Sequence, residues 1–174
     1  MRGRVQLVTP RLTLRRAQWD DRDALHVILS DARAMLYWST PPHDAREQTE
    51  EWLAAMIAAP PDLSDDFIIV RDGQVIGKAG AWRLPEIGYL LHPDHWGQGL
   101  AREALAAFIA HTFRRPGVPR LTADVDPRNA ASLRLLARLG FHETGRAERT
   151  WHTHIGWCDS IYLALDADDW NHAP

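Results

Sequence analysis

Two glycines separated by a single residue stand between an apolar run and a helix-like stretch in the middle of the chain. Gly97 and Gly99 follow the run Ile87–Leu91, which is typical of a buried strand, and Pro93 ends that strand because it has no N–H to donate. Apolar positions then recur at helical spacing, at Ala101, Leu105, Phe108, Ile109 and Thr112. Glycines let a ligand approach the backbone, and a first helical turn offers free N–H groups. This order therefore predicts a phosphate site.

The glycine loop lacks two common nucleotide-binding motifs. Gly99 is followed by Leu100, Ala101 and Arg102, so neither G-x-x-x-x-G-K-[ST] nor G-x-G-x-x-G is present. A turn in which the glycines serve only packing remains the alternative at this point.

A second polar motif follows the strand-like run Leu121–Val125. Asn129 and Ser132 form an N-x-x-S pattern, and Leu139–Phe141 is the tripeptide L-G-F. With the loop Trp96–Ala101, the order and spacing of these motifs resemble the GNAT superfamily of acetyl-CoA-dependent N-acetyltransferases. Two further segments are similar to the ribosomal-protein N-acetyltransferase branch of that superfamily, namely Ile87–Pro93 and Gly156–Asp159. The likeness covers nearly the whole chain.

The resemblance implies how the cosubstrate, acetyl-CoA, is held. Its pyrophosphate is expected on the loop amides and the helix dipole, although Trp96 stands where this family's Q/R-x-x-G-x-G/A loop usually opens with Gln or Arg. The pantetheine arm is expected along the strand backbone like an added strand. The implied contact residues are Leu90, Leu91, Gly97, Gln98, Gly99, Leu100, Ala101, Arg102 and Asn129. Arg114, Arg115 and Arg120 join Arg102 as candidates for the outer phosphates, with a role in solubility as the alternative.

Two carboxylates are candidate general bases for an amine acceptor, which arrives as ammonium and must lose a proton before it attacks. Glu86 starts the strand before the glycine loop, and Asp124 lies on the neighbouring strand. Glu86 as a solvated strand-end residue remains open. So does a role for Asp124 and Asp126 in the turn before Asn129.

The leaving thiolate has one candidate proton donor. Many relatives carry a tyrosine seven residues after the asparagine, where this chain has Leu136, so Ser132 is the available hydroxyl. Ser132 as an ordinary first-turn residue and Asn129 as an N-cap are the structural alternatives. Because coenzyme A has an ordinary thiol pKa, the thiolate is also able to leave unaided near neutral pH.

Composition limits the class of protein. A chain of 174 residues suits one domain, 1–174, and its net charge of −3 gives no reason to expect nucleic acid. No apolar run is long enough to cross a membrane, and the first ten residues lack the apolar core of a signal peptide. One cysteine, Cys158, permits no intrachain disulfide, and we expect a cytoplasmic protein. His142, His152 and His154 lack the spacing of a metal site, so no metal is predicted.

Hydrophobic periodicity and turn residues predict an α/β (α+β) fold. We expect a mixed, mostly antiparallel twisted sheet of about seven strands with helices on both faces. Helices are predicted from Trp19, over Asp44–Ala59, after the glycine loop and from Asn129. Strands are predicted at Arg11–Arg16, Phe67–Val70, Val75–Trp82, Glu86–Leu91, Arg120–Asp124, Phe141–Trp151 and Trp157–Leu165.

The predicted function is transfer of an acetyl group from acetyl-CoA to a primary amine, by direct attack in a ternary complex. A protein or peptide N-terminal amine is the preferred acceptor. A small amine (a polyamine, an amino acid or an antibiotic) and a coenzyme A-binding module without turnover are the alternatives. The acceptor is expected between the first two helices and Arg149–Asp159, with Tyr37 and Trp38 as candidate lining residues. A monomer and a homodimer both remain open.

Overall fold

The centre of the fold is one eight-stranded mixed sheet, seen in a computed structural model that describes residues 5–171. The strand order is β1-β2-β3-β4-β5-β6-β8-β7, and among the described strands only β5 and β6 run parallel to each other. The strands are β1 Gln6–Val8, β2 Thr13–Arg15, β3 Asp65–Arg71, β4 Gln74–Arg83, β5 Glu86–Leu91, β6 Arg120–Val125, β7 His142–Thr153 and β8 Gly156–Asp166.

Five α-helices and two 3₁₀ turns complete the described chain. The helices are α1 Arg22–Leu29, α2 Arg46–Ala58, α3 Leu100–Thr112, α4 Ala130–Arg138 and α5 Ala167–Asn171, and the 3₁₀ turns are Trp19–Asp21 and Pro93–His95. The predicted fold class is confirmed, with one more strand than expected. The added strand is β1, whose three residues are too few to show an alternating pattern. Of the predicted domain 1–174, residues 1–4 and 172–174 lie outside the described residues.

Hydrophobic cores form on both faces of the sheet. On one face α3 buries Leu105, Phe108 and Ile109 in a core shared with the sheet, and the Phe108 ring meets Phe67 of β3 edge-on at 6.3 Å between centroids. On the other face α1 and α2 bury a second set: Leu25, Ile28, Leu29, Leu53 and Met56. Each such side chain contributes about 1.5–3 kcal/mol when fully buried. Strand β5 is packed on both faces, because Ile87 and Leu91 belong to the first core and Leu90 belongs to the second.

Strand β5 lies close to β4 and separates from β6. At Gly77 of β4 an added Cβ would lie 2.1 Å from the Leu90 carbonyl oxygen, so only glycine permits this approach. On the opposite edge β5 pairs with β6 at one position, Glu86 with Thr122. Beyond that pair the two strands diverge, and the backbone of β5 has no ladder partner on this side. A gap therefore opens between β5 and β6.

Two buried carboxylates at the start of β3 anchor neighbouring elements. Asp65 is fully buried and is bound by Arg16 at 2.6 Å, Arg115 at 3.0 Å and His111 at 3.3 Å. Burial alone would raise the pKa of Asp65, but the hydrogen bonds from His111 and Arg16 outweigh it, and the pKa is held well below its usual value. On the other sheet face Asp66 pairs with buried Lys78 at 2.8 Å. These ion pairs connect β2, β4 and α3 to β3.

Candidate active site

A single open cleft of about 1310 Å³ occupies the gap between β5 and β6. Its walls are the link between α1 and α2, the loop before α3, the first turns of α4, and the β7–β8 end of the sheet. Nearly every predicted site residue lines this cleft: Glu86, Leu90, Leu91, Gly97, Gly99, Leu100, Ala101, Arg102, Asp124, Asn129 and Ser132. Gln98 is the one predicted site residue that does not.

The glycine loop presents a row of free amides to the cleft. Gly97 and Gly99 adopt φ values of 71° and 74°, a left-handed conformation that favours glycine. Gly99 caps α3, and the first helical hydrogen bond runs from the Glu103 N–H to the Gly99 carbonyl. From residue 97 to residue 102, no N–H has an acceptor within the described chain. An anion fits there without displacing any existing hydrogen bond.

Gln98 supports the loop from behind. Its carbonyl oxygen accepts a hydrogen bond from Arg11 at 2.9 Å, and its side-chain Oε1 accepts one from Arg71 at 2.7 Å. Arg11 is in turn paired with Glu103 at 2.7 Å. The side chain of Gln98 therefore braces the loop against the sheet, and only its backbone remains as a candidate ligand contact.

Trp96, the departure from the family pattern, connects the loop to β5. Its indole Nε1–H donates to the Leu91 carbonyl at 3.0 Å. This bond fixes the end of the strand relative to the amides that follow. Where the family pattern has glutamine or arginine, this chain has a tryptophan that joins the loop to the end of β5.

Three arginines bring positive charge to the α3–α4 side of the cleft. Arg102 lies in the first turn of α3, and Arg134 and Arg138 lie on α4. None of the three has an acidic partner in the described part of the chain. The electrostatic field on this side therefore favours an anionic ligand.

The other arginines that the sequence analysis named for the outer phosphates do not line the cleft. Arg114 and Arg115 follow the C-terminal end of α3, about 20 Å along the helix from the glycine loop. Arg115 binds Asp65 and the Pro61 carbonyl, and Arg120 is paired with Asp166 at 2.6 Å. The sequence analysis selected arginines near α3 without asking which end of the helix faces the loop. It missed Arg134 and Arg138 because they lie on α4.

Glu86 and Asp124 face the cleft from adjacent strands. Glu86 has no hydrogen-bond or ion-pair partner among the described residues, although its carboxylate is accessible from the cleft. Surrounding protein atoms desolvate it and, with a smaller contribution from the charge of Asp124, raise its pKa. The Asp124 carboxylate accepts a hydrogen bond from the Trp151 indole at 2.9 Å. Glu86 is thus the carboxylate with unoccupied oxygens.

Ser132 lies one turn into α4 and is hydrogen-bonded to a residue that the sequence analysis missed. Its hydroxyl Oγ bonds the Tyr89 Oη on β5, and its backbone N–H donates to the Asn129 side chain at 3.2 Å. Asn129 is therefore the N-cap of α4, as the structural alternative held. Burial raises the pKa of Tyr89 to about 12, while the hydrogen bond with Ser132 opposes that rise. Side chains alternate along a strand, so Tyr89 and Glu86 lie on opposite faces of β5. The contact of Tyr89 with Ser132 depends on how α4 packs and is not readable from the strand alone.

The far end of the cleft is aromatic and acidic. Tyr37 and Trp38, from the irregular link after α1, line it, and the Tyr37 hydroxyl donates to the Arg128 carbonyl across the cleft at 3.3 Å. Trp52, Trp82 and Trp151 add three indoles. Asp159 lines the same end and accepts a hydrogen bond from the Arg149 backbone N–H at 2.8 Å. Both aromatic candidates from the sequence thus lie on the cleft wall.

Comparison with known proteins decides the family. Residues 11–142 match the family described as Acetyltransferase (GNAT) domain. The chain belongs to the GNAT acetyltransferase family. Its GNAT relatives include an uncharacterized N-acetyltransferase, p20, from Bacillus licheniformis, 33% identical over 80% of this chain and 83% of p20. They also include the [ribosomal protein uS5]-alanine N-acetyltransferase of Escherichia coli, 35% identical over 52% of this chain and 47% of that enzyme.

Solved GNAT structures share the fold. The spermidine N-acetyltransferase from Vibrio cholerae, in complex with CoA and spermine, superposes with a TM-score of 0.82 at 19% identity and covers 94% of this chain and 100% of its own. The predicted acetyltransferase class and the resemblance to the ribosomal-protein branch are confirmed. These GNAT proteins differ in acceptor, so membership alone does not identify the amine.

Two absences hold for the part of the chain that is described. Residues 5–171 contain no cluster of three or more His, Cys, Asp or Glu side chains able to hold a metal ion. In the same range, no helix combines the length and apolar character that crossing a membrane requires.

Proposed function

We propose that this GNAT protein transfers the acetyl group of acetyl-CoA to the N-terminal amine of a protein or peptide. The observation that carries the proposal is the separation of charge along the cleft. Free amides and the arginines Arg102, Arg134 and Arg138 lie on the α3–α4 side, while Glu86, Asp124 and Asp159 lie at the other end. Within residues 5–171, none of these six side chains forms an ion pair. An anionic donor and a cationic acceptor are therefore drawn to different ends of one site.

The donor end fits the pyrophosphate of acetyl-CoA. Gly97 and Gly99 leave the approach to the amides open, since an added Cβ at Gly97 would meet no atom within 4 Å. The remaining contacts come from the α3 dipole and Arg102. From this loop, the unpaired edge of β5 leads towards Glu86, about 16 Å along the strand. Leu90 and Leu91 supply the backbone along which an extended pantetheine arm would pair.

Glu86 is suited to act as the general base. It faces the diverging strands, its oxygens accept no hydrogen bond from the described residues, and its raised pKa brings its basicity closer to that of an amine. The Asp124 carboxylate is held by Trp151 and faces the same part of the cleft. Glu86 takes a proton from the ammonium, and the free amine then forms a bond to the acetyl carbon. The carbon–sulfur bond breaks, its electron pair leaves with sulfur, and the nitrogen gives its second proton to water.

The acceptor end favours a cation that carries no carboxylate nearby. Of the cationic side chains that line it, Lys78 is paired with Asp66 and Arg33 with Asp31, which leaves Arg83 at the rim. A free amino acid would bring its own carboxylate close to Glu86 and Asp124. A peptide N-terminus has an amide there instead, and the indoles attract its ammonium group through cation–π interactions. The ribosomal-protein relative supports the same choice.

A polyamine is the second candidate. The carboxylates of Glu86, Asp124 and Asp159 would attract a polycation, and the spermidine N-acetyltransferase of Vibrio cholerae shares this fold. A polyamine, unlike a peptide, has no backbone amides with which to hydrogen-bond the cleft walls.

Release of free thiol from acetyl-CoA with a panel of acceptors tests the proposal. The panel contains short peptides with free N-termini, the same peptides with blocked N-termini, spermidine, and free amino acids. We expect turnover with the free-amine peptides, background with the blocked ones, and the poorest rates with free amino acids.

Faster turnover with spermidine than with any peptide would contradict the peptide acceptor and support a polyamine acceptor. A protein that binds coenzyme A but releases no thiol with any member of the panel would be a binding module, and the proposal would fail.

A further inference from the structure

The hydrogen bond between Tyr89 and Ser132 joins the two sides of the cleft at the point where β5 and β6 diverge. Tyr89 lies on β5, and Ser132 lies on the first turn of α4. Both side chains line the cleft and are only partly exposed. The Tyr89 hydroxyl has no second partner among the described residues. The pair therefore has spare hydrogen-bonding capacity directed into the cleft.

The chemistry of the two hydroxyls sets the direction of this bond. A phenol is a stronger hydrogen-bond acid than an aliphatic alcohol, so Tyr89 donates and Ser132 accepts. Because burial raises the pKa of Tyr89 to about 12, the phenol keeps its proton throughout the neutral range. Asn129 holds the backbone of Ser132 from the other side. The Ser132 hydroxyl then has one proton left, and that proton is free for an acceptor in the cleft.

From this geometry we propose that Tyr89 is a positioning residue, which orients Ser132 as the hydrogen-bond donor to the thiolate of coenzyme A. The inference rests on the proposed function, since it requires coenzyme A in the cleft. It replaces the general-acid role that the sequence suggested for Ser132 with a role in which Ser132 keeps its proton.

Full proton transfer is disfavoured by the relative acidities. An ordinary thiol has a pKa of about 8.5, and the pKa of Tyr89 is about 12. Moving a proton from the phenol through Ser132 to the thiolate is therefore uphill by roughly 3.5 pKa units, a factor of about 3,000. When the carbon–sulfur bond breaks, the electron pair stays on sulfur and Ser132 donates a hydrogen bond to it. Solvent later supplies the proton that converts thiolate to thiol.

The measurable consequence is an acidified thiol in bound coenzyme A. A hydrogen bond to a charged group favours the charged form, and the usual strength of such a bond corresponds to about one to two pKa units. The experiment titrates the ultraviolet absorbance of the thiolate, as the difference between the coenzyme A complex and the free protein, which removes the signal of Cys158. It compares wild type with Ser132→Ala, Tyr89→Phe and the double variant. Tyr162→Phe removes a hydroxyl outside the cleft and is the matched control.

We expect Ser132→Ala to raise the thiol pKa of bound coenzyme A by about one unit or more. Tyr89→Phe should raise it by a smaller amount, and the double variant should equal Ser132→Ala because Tyr89 acts through Ser132. Tyr162→Phe should match wild type. A Tyr89→Phe complex with the wild-type thiol pKa would overturn the proposal, as would additive effects in the double variant.

A second measurement keeps the inference testable if Tyr89→Phe does not fold. In the free protein, Ser132→Ala should raise the pKa of the Tyr89 phenol further, because the Ser132 hydroxyl can turn and donate to the phenolate once Tyr89 ionises, and the variant loses that stabilisation of the charged form. An unchanged phenol titration would contradict the pairing. Failure of wild type to bind coenzyme A would instead refute the proposed function and would be seen before any variant is compared.

Discussion

Replacement of Gly99 by alanine tests the anion cradle, and the chain offers a matched control. Gly99 and Gly117 adopt φ values of 74° and 84°, and an added Cβ meets nothing closer than 3.6 Å at Gly99 and nothing within 4 Å at Gly117. Each Ala variant therefore carries the strain of a left-handed residue and little steric overlap. That strain costs about 1–2 kcal/mol, which lowers the melting temperature of a chain of this size by about 2–8 °C. Only Gly99 lies on the cleft.

Coenzyme A separates the two variants. A ligand at 100 times its dissociation constant stabilises the native state by about 2.7 kcal/mol, which is about 5–11 °C for a chain of this size. We expect wild type and Gly117→Ala to show that rise in thermal denaturation. Gly99→Ala should lose most of it, because the methyl group stands beside the amides that the pyrophosphate must reach. An equal rise in Gly99→Ala and Gly117→Ala would refute the assignment of the cradle.

Three further predictions concern charged groups. Glu86→Gln should lower kcat/KM at neutral pH by roughly 10²-fold and should remove the acidic limb of the pH–rate profile. In wild type that limb lies above the usual range of a glutamate, because the pKa of Glu86 is raised. Full activity of the variant would exclude Glu86 as the base. Lys78→Met should cost about 3–5 kcal/mol in chemical denaturation, since it leaves Asp66 buried without its partner, and adding Asp66→Leu should recover much of the loss. Asp65→Asn should cost on the order of 3 kcal/mol. Because the pKa of Asp65 is lowered in the folded state, its contribution is complete above about pH 4 and declines on further acidification, so the variant should show a shallower loss of stability there than wild type.

The parts of the fold that the sequence predicted are those coded locally. The strands predicted at Phe67–Val70 and Val75–Trp82 form the β3–β4 hairpin. The dipeptide between them, Asp72-Gly73, is typical of such turns, and both of its residues adopt positive φ. The glycine loop predicted the start of α3 because glycine is the residue that most readily adopts the left-handed conformation of Gly99 at the helix cap. Such signals depend on neighbours in sequence, so they are readable without knowledge of packing.

The parts that the sequence did not predict depend on tertiary placement. Tyr89 was identified as a strand residue, but its bond to Ser132 joins residues 43 positions apart. Arg134 and Arg138 carry no motif, and only the position of α4 brings them to the cleft. Asp65 has its polar partners at the end of β2 and at the C-terminal end of α3, both far from it in sequence. Conversely, Glu86 was singled out from the sequence because it starts the strand that precedes the glycine loop, and it does line the cleft.

The most direct test of the central claim is the location of the acetyl group after a single turnover. The protein is mixed with acetyl-CoA and a lysine-free peptide that has a free N-terminus, and the masses of the protein and the peptide are measured by mass spectrometry. The account predicts an acetylated peptide N-terminus, one free thiol released per acetyl group transferred, and no change in the mass of the protein. An acetyl group found on Cys158, or a peptide that remains unmodified while acetyl-CoA is bound, would contradict direct transfer to the amine.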